Sequence, residues 1–325
     1  MLKLRQLFIL ASLTTAELLR QPVCLLLTAG CIVLTMAVPL ITAHNIGESG
    51  RLARDSGLAF QLMLGLALAG YAACATLQRE RQAGTLAAVL SKPVGRWTFF
   101  FAKFIGISTV ILVFSLCGSL ATLLAERVAM HYSINAGYRI DYLTAAMVMA
   151  CPAIACAIGA WANFRHKRAF SASALLALPL LITLVTAACS FVSREGQWHI
   201  ASYQPQLQWP ILAAALLVTF GLILLAAIAL SLAVRLPLTP VVTICFGLLV
   251  LGLTADTLLG ASSHPLGRIL YNLIPNWQNF WVADAIAGGG TIPLVRIAQT
   301  ALYTFLYTTG VLCLGGAAFQ HAEAS

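Results

Sequence analysis

Charged residues are scarce in this sequence: they make up 9% of its 325 residues, whereas hydrophobic residues make up 60%. A soluble globular domain carries about 25% charged residues, so this chain has too little polar surface to cover a globule in water. Apolar runs of about 20 residues recur along its length, which is the length a helix needs to cross a hydrocarbon core of about 30 Å. The runs are continuous rather than alternating, which excludes a transmembrane β-barrel. We therefore predict an all-α polytopic membrane protein.

Motifs of common enzymes are missing as well. There is no GxxxxGK[ST] sequence, so the chain is not expected to bind ATP through a P-loop of its own. It has neither an HExxH zinc motif nor a GxSxG nucleophile elbow. The nine cysteines lie in or beside apolar runs and include no CxxC pair, which favours a packing role over disulfides or metal binding. We predict a non-catalytic protein that binds no cofactor and no metal directly.

Eight apolar segments are predicted to span the membrane: 23–43, 57–77, 99–124, 143–162, 170–192, 211–234, 238–260 and 297–319. With the N-terminus inside, most of the 19 lysines and arginines, including every lysine, fall on the cytoplasmic side, as the positive-inside rule requires. An even number of spans then leaves both termini in the cytoplasm. Anionic lipid and this rule account for the basic inner face, so nucleic acid is not an expected partner. We expect a multi-pass protein of the cell membrane, of the bacterial inner-membrane kind.

Two segments outside the spans are predicted to lie at the membrane surface. Residues 1–22 mix leucines with charged residues and end at Pro22, which is typical of an amphipathic helix in the inner interface. Residues 261–296 contain clustered aromatic residues but no run long enough to cross. There we predict short helices that lie on the outer surface or enter the membrane partway, where other protein would bury them. The whole chain, 1–325, is expected to form a single transmembrane domain.

The connection between the second and third predicted spans, 78–98, has the sequence QRERQAGTLAAVLSKPVGRWT and is expected to be cytoplasmic. Gly84 breaks the helix that leaves the second span, and Thr85 is suited to cap the next one. Three apolar residues then share one helix face: Leu86, Val89 and Leu90. Pro93 ends this short helix. A short amphipathic helix packs on lipid or on a partner, and an ordinary interfacial loop is the plainer alternative.

This stretch resembles the intracellular loop of ABC-2-type permeases, the membrane subunits of ATP-binding-cassette exporters. The family pattern is matched by ERQAGTL, LSKPVGR and KFIG, which lie between Glu80 and Gly106. AELLRQP near the N-terminus resembles the family's elbow helix. AVRLPLTPVV and LIPNWQNF resemble its penultimate span and its outer re-entrant helices. The family core has six spans, so the resemblance implies a six-helix core plus an extra pair near 143–192.

The resemblance implies that ATP, with Mg²⁺, is hydrolysed on a separate P-loop subunit rather than on this chain. It implies two copies of that ATPase and a second permease chain, identical or homologous, surrounded by membrane lipid. The residues implied to dock the ATPase are Arg79, Glu80, Arg81, Gly84, Thr85, Leu86, Val89, Leu90, Pro93 and Arg96. Export follows from the family, and the scarcity of polar residues at membrane depth favours a lipid-like, glycan-linked or amphipathic substrate.

Two other functions fit part of this pattern. A non-transporting membrane anchor or assembly factor driven by an ABC ATPase would carry the same loop. A transporter differs from such an anchor in having a path for solute between the chains. An ion-coupled secondary carrier needs ionisable residues inside the membrane. The one candidate for such a role is Asp256, which falls in the outer turn of its predicted span. An intramembrane enzyme is disfavoured because the sequence shows no reactive constellation.

Overall fold

The computed structural model describes residues 2–42, 48–82, 95–133, 137–191, 207–258, 274–286 and 290–322. Over these ranges the chain is almost entirely helical, in the order α1 (Leu2–Leu19), α2 (Pro22–Ile41), α3 (Ser49–Gln82), α4 (Arg96–Val128), α5 (Tyr142–His166), α6 (Phe170–Cys189), α7 (Pro210–Ala233), α8 (Leu238–Leu253), α9 (Ala255–Leu258), α10 (Ala283–Ile286) and α11 (Leu294–Ala322). A short antiparallel ladder that was not predicted joins α4 to α5, between β1 (His131–Ser133) and β2 (Gly137–Arg139).

The prediction of an all-α polytopic membrane protein is confirmed. Within the described residues, seven helices are long and apolar enough to cross a membrane: α2, α3, α4, α5, α6, α7 and α11. The remaining predicted span, 238–260, is wrong in length, because α8 ends at Leu253 after 16 residues. At 1.5 Å per residue this helix is about 24 Å long, shorter than a hydrocarbon core of about 30 Å.

α3 and α4 form a long antiparallel hairpin. The Ser49 hydroxyl donates a hydrogen bond to the Met130 carbonyl at 3.1 Å, which places the start of α3 beside the end of α4. Farther along, a Cβ on Gly57 would come within 3.0 Å of the Thr122 side chain, so the two backbones approach closely. We call this end of the bundle the far end. The opposite end, where α3 stops and α4 begins, is the loop end.

The α3–α4 hairpin extends past α6 at the loop end. α4 has 33 residues and α6 has 20. Both helices finish at the same level at the far end, where Arg127 near the end of α4 donates a hydrogen bond to the carbonyl of Cys189, the last residue of α6. α4 therefore reaches about 20 Å farther than α6 at the loop end. Within the predicted connection 78–98, residues 78–82 continue α3 and residues 96–98 begin α4.

α1 is a separate helix that packs on α4. Thr15 donates a hydrogen bond from its hydroxyl to the Gly106 carbonyl at 3.3 Å. A Cβ on Gly106 would come within 2.8 Å of the Thr14 side chain, so the glycine permits this close crossing. The other face of α1 exposes apolar side chains: Leu4, Phe8, Ile9 and Leu13. An open apolar face on a helix of mixed polarity fits a position in the membrane interface, and that position stays a prediction.

α5 and α6 form a second hairpin, which packs beside α2 and α4. α5 ends at Lys167, whose positive φ of 54° places it in the left-handed region and lets its N–H bond the carbonyls of Ala162 and Asn163. Gly159 allows the two helices to approach, because a Cβ there would lie 2.8 Å from the Phe170 carbonyl. This hairpin occupies the residues near 143–192 where the resemblance implies an extra pair, and that it is additional to a six-helix core stays a prediction.

Candidate functional site

The predicted docking residues lie at the tip of the α3–α4 hairpin or in the segment 83–94. Three of them are in the last turns of α3: Arg79, Glu80 and Arg81. Arg96 is the first residue of α4. The others lie outside the described residues: Gly84, Thr85, Leu86, Val89, Leu90 and Pro93. The docking role of this set stays a prediction, and the hairpin places its two flanks at the loop end, level with the end of α11.

The basic residues at the start of α4 contact other parts of the protein. Arg96 donates a hydrogen bond from Nη1 to the Gln320 carbonyl in the last turns of α11, at 3.1 Å. A cation at this place is favourable because the last carbonyls of a helix carry partial negative charge. Lys103 is buried, and its Nζ lies 5.3 Å from the centre of the Phe99 ring, within cation–π range. Sequence reasoning gave Arg96 an outward role and missed this contact.

Aromatic residues that follow Arg96 pack against the end of α11. The Phe319 ring lies 6.0 Å from Phe99 and 5.8 Å from Phe100, centre to centre. Trp97 covers Gly316 so closely that a Cβ there would come within 2.7 Å of the indole Cε3. We call this contact the α4–α11 junction. It joins the re-entry of the loop to the last helix of the chain.

α11 also contacts the segment 274–286 near the far end. The Tyr303 hydroxyl accepts a hydrogen bond from the Asn276 N–H at 3.1 Å, and its ring lies 6.0 Å from that of the buried Phe280. Tyr303 and Gln320 are separated by about 25 Å of continuous helix. A single helix therefore connects the loop end of the protein with this second segment.

The segment 274–286 enters the bundle rather than lying on its surface. Trp277 is 1% exposed and donates a hydrogen bond from its indole N–H to the Leu248 carbonyl of α8 at 3.1 Å. Gly221 of α7 also faces this ring, and a Cβ there would lie 3.2 Å from it. Gly221 is about 17 Å along α7 from the start of that helix at Pro210. Irregular backbone is tolerated at such depth because protein surrounds it.

Gly252 of α8 gives a direct test of this insertion. We expect Gly252→Ala to lower the free energy of unfolding by about 1–3 kcal/mol, since the added methyl group overlaps the Trp277 indole and the Pro275 carbonyl. Gly247→Ala in the same helix is the matched control, because a Cβ there meets nothing within 4 Å. Equilibrium unfolding in mixed micelles measures the free energy of unfolding of both variants. Equal stability of the two variants would show that Trp277 does not occupy this place.

A buried ion pair fixes the far end of the α5–α6 hairpin. Arg127 donates a hydrogen bond from Nε to Asp141 Oδ2 at 3.1 Å, and their side chains are 1% and 6% exposed. Asp141 also caps α5 by accepting from the Thr144 N–H at 3.0 Å and from its hydroxyl at 2.6 Å. Because the Arg127 side chain bonds the Cys189 carbonyl as well, one cluster joins α4, α5 and α6.

Asp256, the predicted ion-coupling candidate, lies in α9, just beyond α8. Its side chain is outside the described part of the chain, so its role stays a prediction. Other ionisable side chains that sequence reasoning overlooked are buried in the described part: Arg54, Lys103, Glu126, Arg127 and Asp141. Arg54, Glu126, Arg127 and Asp141 lie toward the far end, near helix termini. In the same described ranges, no group of His, Cys, Asp or Glu has the geometry of a metal site.

The fold and this loop define a class: a multi-pass α-helical membrane protein whose central hairpin carries a charged connection past the start of α6. A family model described as "ABC-2 family transporter protein" matches residues 16–186, which is more than half of the chain. The protein belongs to this family and is a membrane subunit of an ABC transporter. The matched residues include α5 and most of α6, so the α5–α6 hairpin lies within the family match. Searches of curated proteins and of solved structures returned no match.

Proposed function

We propose that this chain is the permease of an ABC exporter and that its connection 78–98 docks a separate ATPase. The observation that supports this most is the reach of the α3–α4 hairpin, which holds the connection about 20 Å beyond the start of α6. A membrane subunit without a P-loop needs such a contact to receive energy from ATP. The family to which the chain belongs works with an ABC ATPase.

In this proposal the loop end faces the cytoplasm, where ATP is available. The distribution of lysine and arginine supports this orientation, because it places every lysine on that side. The Arg96–Gln320 contact puts the end of α11 on the same side as the connection. Both termini are then cytoplasmic, and the protein lies in a cell membrane of the bacterial inner-membrane kind.

ATP drives transport here through movement rather than through chemistry on this chain. When the ATPase closes on nucleotide, it displaces the docked connection and with it the first turn of α4. The α4–α11 junction passes this displacement to α11, because Trp97 and Phe319 are packed against each other's helices. α11 in turn contacts the inserted segment through Tyr303. The far side of the permease thus opens in response to events at the loop end.

The complete transporter in this proposal contains two ATPase chains and a second permease chain, identical or homologous. Its substrate is lipid-like, glycan-linked or amphipathic. α11 packs mainly on α7 and leaves large apolar side chains uncovered: Leu302, Phe305, Leu306 and Leu314. An apolar surface of this kind, open beside an element that moves, suits entry of a substrate from the lipid.

Co-purification tests the docking surface. We expect a P-loop ATPase to accompany the wild-type protein on gentle solubilisation, and the double variant Glu80→Ala/Leu86→Ala to retain less than a tenth of it. Truncating central interface residues costs upwards of about 1.4 kcal/mol each, a factor of ten in affinity. The matched control is Asp284→Ala/Leu294→Ala, an exposed acid and leucine near the far end.

Crosslinking before solubilisation captures weak docking. Equal ATPase recovery from the wild type and the Glu80→Ala/Leu86→Ala variant after crosslinking would contradict the docking surface. No ATPase from crosslinked wild-type membranes would contradict the proposed function as a whole. If docking holds, uptake of a labelled amphiphile by inverted vesicles then separates a transporter from a non-transporting anchor, because an anchor moves no solute.

A further inference from the structure

The α5–α6 hairpin ends at the loop end in a compact basic tip, which we define as residues 161–170. Its connection is exposed from Asn163 to Phe170, and it contains three residues with permanent positive charge: Arg165, Lys167 and Arg168. No Asp or Glu occurs in the sequence between Asp141 and Glu195. Among the described residues, none of the three makes an ion pair within 4.0 Å. The tip therefore presents uncompensated positive charge on a rigid, left-handed turn.

The end of α1 lies next to the tip. Ser171, in the first turn of α6, donates a hydrogen bond from its hydroxyl to the Arg20 carbonyl at 2.6 Å. This bond ties the end of α1, the helix with the open apolar face, to the base of the tip. The first turn of α6 has no side-chain cap, since Ala169 precedes it. Its N–H groups add partial positive charge on the same side.

Exposed apolar side chains run from the tip along both helices. On α5, Trp161 is 62% exposed and Phe164 is 86% exposed. The Trp161 ring lies 5.3 Å from His166, edge to face, at the level of the charges. Above them the exposed face continues along α5 through Ile158 and Ile154, and along α6 through Leu176, Leu180 and Leu184. Cations, then aromatic rings, then aliphatic side chains follow one another along the same surface.

We propose that the α5–α6 tip binds the headgroup of an anionic phospholipid. The order of the surface matches such a lipid: phosphate at the basic turn, glycerol at the aromatic rings and acyl chains along the aliphatic face. Because α5 and α6 are long and apolar enough to span the membrane, lipid covers this apolar face, and the cations beside it lie where lipid phosphates supply the counter-charge. The assignment to the cytoplasmic leaflet, where anionic lipids concentrate, rests on the orientation in the proposed function, whereas the site itself does not.

Lipid retention measured by native mass spectrometry tests the site. The purified protein is reconstituted in phosphatidylcholine containing phosphatidylglycerol, released into the gas phase, and the bound lipids are counted. We expect the wild type to retain phosphatidylglycerol in preference to phosphatidylcholine. Arg165→Gln/Lys167→Gln/Arg168→Gln is expected to lower that preference at least fivefold. Because the three side chains are exposed, the variant is expected to fold as the wild type does, and thermal unfolding of the same sample checks this.

Arg235→Gln is the matched control, since Arg235 is another exposed basic residue on the loop-end side, in the turn between α7 and α8. It is expected to keep the wild-type preference. Equal retention by the triple variant and the wild type overturns the proposal, and so does an equal fall in the Arg235 variant. If the triple variant instead loses the co-purifying ATPase with lipid retention unchanged, the tip is a protein contact. If phosphatidylglycerol retention depends on the tip but no ATPase co-purifies with the crosslinked wild type, the lipid site is supported and the proposed function is contradicted.

Discussion

Replacing Arg127 by methionine is expected to lower the free energy of unfolding by about 3–5 kcal/mol, the usual cost of breaking a buried ion pair from one side. The change leaves the Asp141 carboxylate buried without its cation. It also removes the hydrogen bond that holds the Cys189 carbonyl. The α5–α6 hairpin then loses two of its contacts with α4 at the far end, whereas the bond from the Asp141 N–H to the Val128 carbonyl remains. Equilibrium unfolding in mixed micelles, followed by tryptophan fluorescence, gives the value.

The double variant Arg127→Met/Asp141→Leu separates charge from packing. Because the double variant has neither charge, we expect it to regain most of the free energy of unfolding that Arg127→Met loses. Replacing a buried ion pair by apolar residues often changes stability little. A remainder of about 1 kcal/mol is expected from the lost cap of α5, where Asp141 accepts from the Thr144 N–H. Simple additivity of the two single substitutions, with no coupling energy, would contradict the assignment of this pair as one buried unit.

Gly316→Ala is expected to interrupt the transfer of movement from the loop to α11. A methyl group at this position overlaps the Trp97 ring, and Phe101 stacks behind that ring with centres 6.1 Å apart, so the indole is held in place. A nitroxide label on Cys313, an exposed cysteine of α11, reports the movement. In the complex with its ATPase, we expect vanadate-trapped nucleotide to change the label's environment at least fivefold less in the variant than in the wild type.

Gly310→Ala is the control for Gly316→Ala, because it lies in the same helix and a Cβ there meets nothing within 4 Å. It is expected to respond to nucleotide as the wild type does. Adding Trp97→Leu to Gly316→Ala should restore part of the response by making room for the methyl group. A full response from Gly316→Ala alone would show that the α4–α11 junction does not carry the movement.

The spans could be predicted because each is a local signal. An apolar run such as 211–234 is long enough to cross a bilayer whatever surrounds it, and α7 occupies almost the same residues. Local polarity did not show where α3 begins, because Arg51, Arg54 and Asp55 interrupt the apolar run before the predicted span 57–77. In the structure α3 begins at Ser49, and Arg54 is buried with its Nε 3.2 Å from Asp55.

Part of the candidate site could be proposed from the sequence, and part of it is visible only in the structure. The predicted docking motif is contiguous in sequence, so the sequence alone is enough to propose its residues, and their docking role stays a prediction. The α4–α11 junction could not, because Trp97 and Gly316 are far apart in the chain and neither belongs to a motif. A glycine pair near the end of a span is equally typical of lipid-facing and of packed helices. Only the contact with the Trp97 ring gives Gly316 its role.

By itself the sequence determined the class of the protein, the number of its apolar helices and the place of its charged connection. Hydrophobicity over about 20 residues settles those features with no reference to other parts of the chain. Tertiary structure alone decided that α8 stops early, that residues 274–286 enter the bundle, and that Arg127 pairs with Asp141. These features depend on contacts between residues distant in sequence. The helices that meet are those whose side chains fit together and whose buried polar groups find partners.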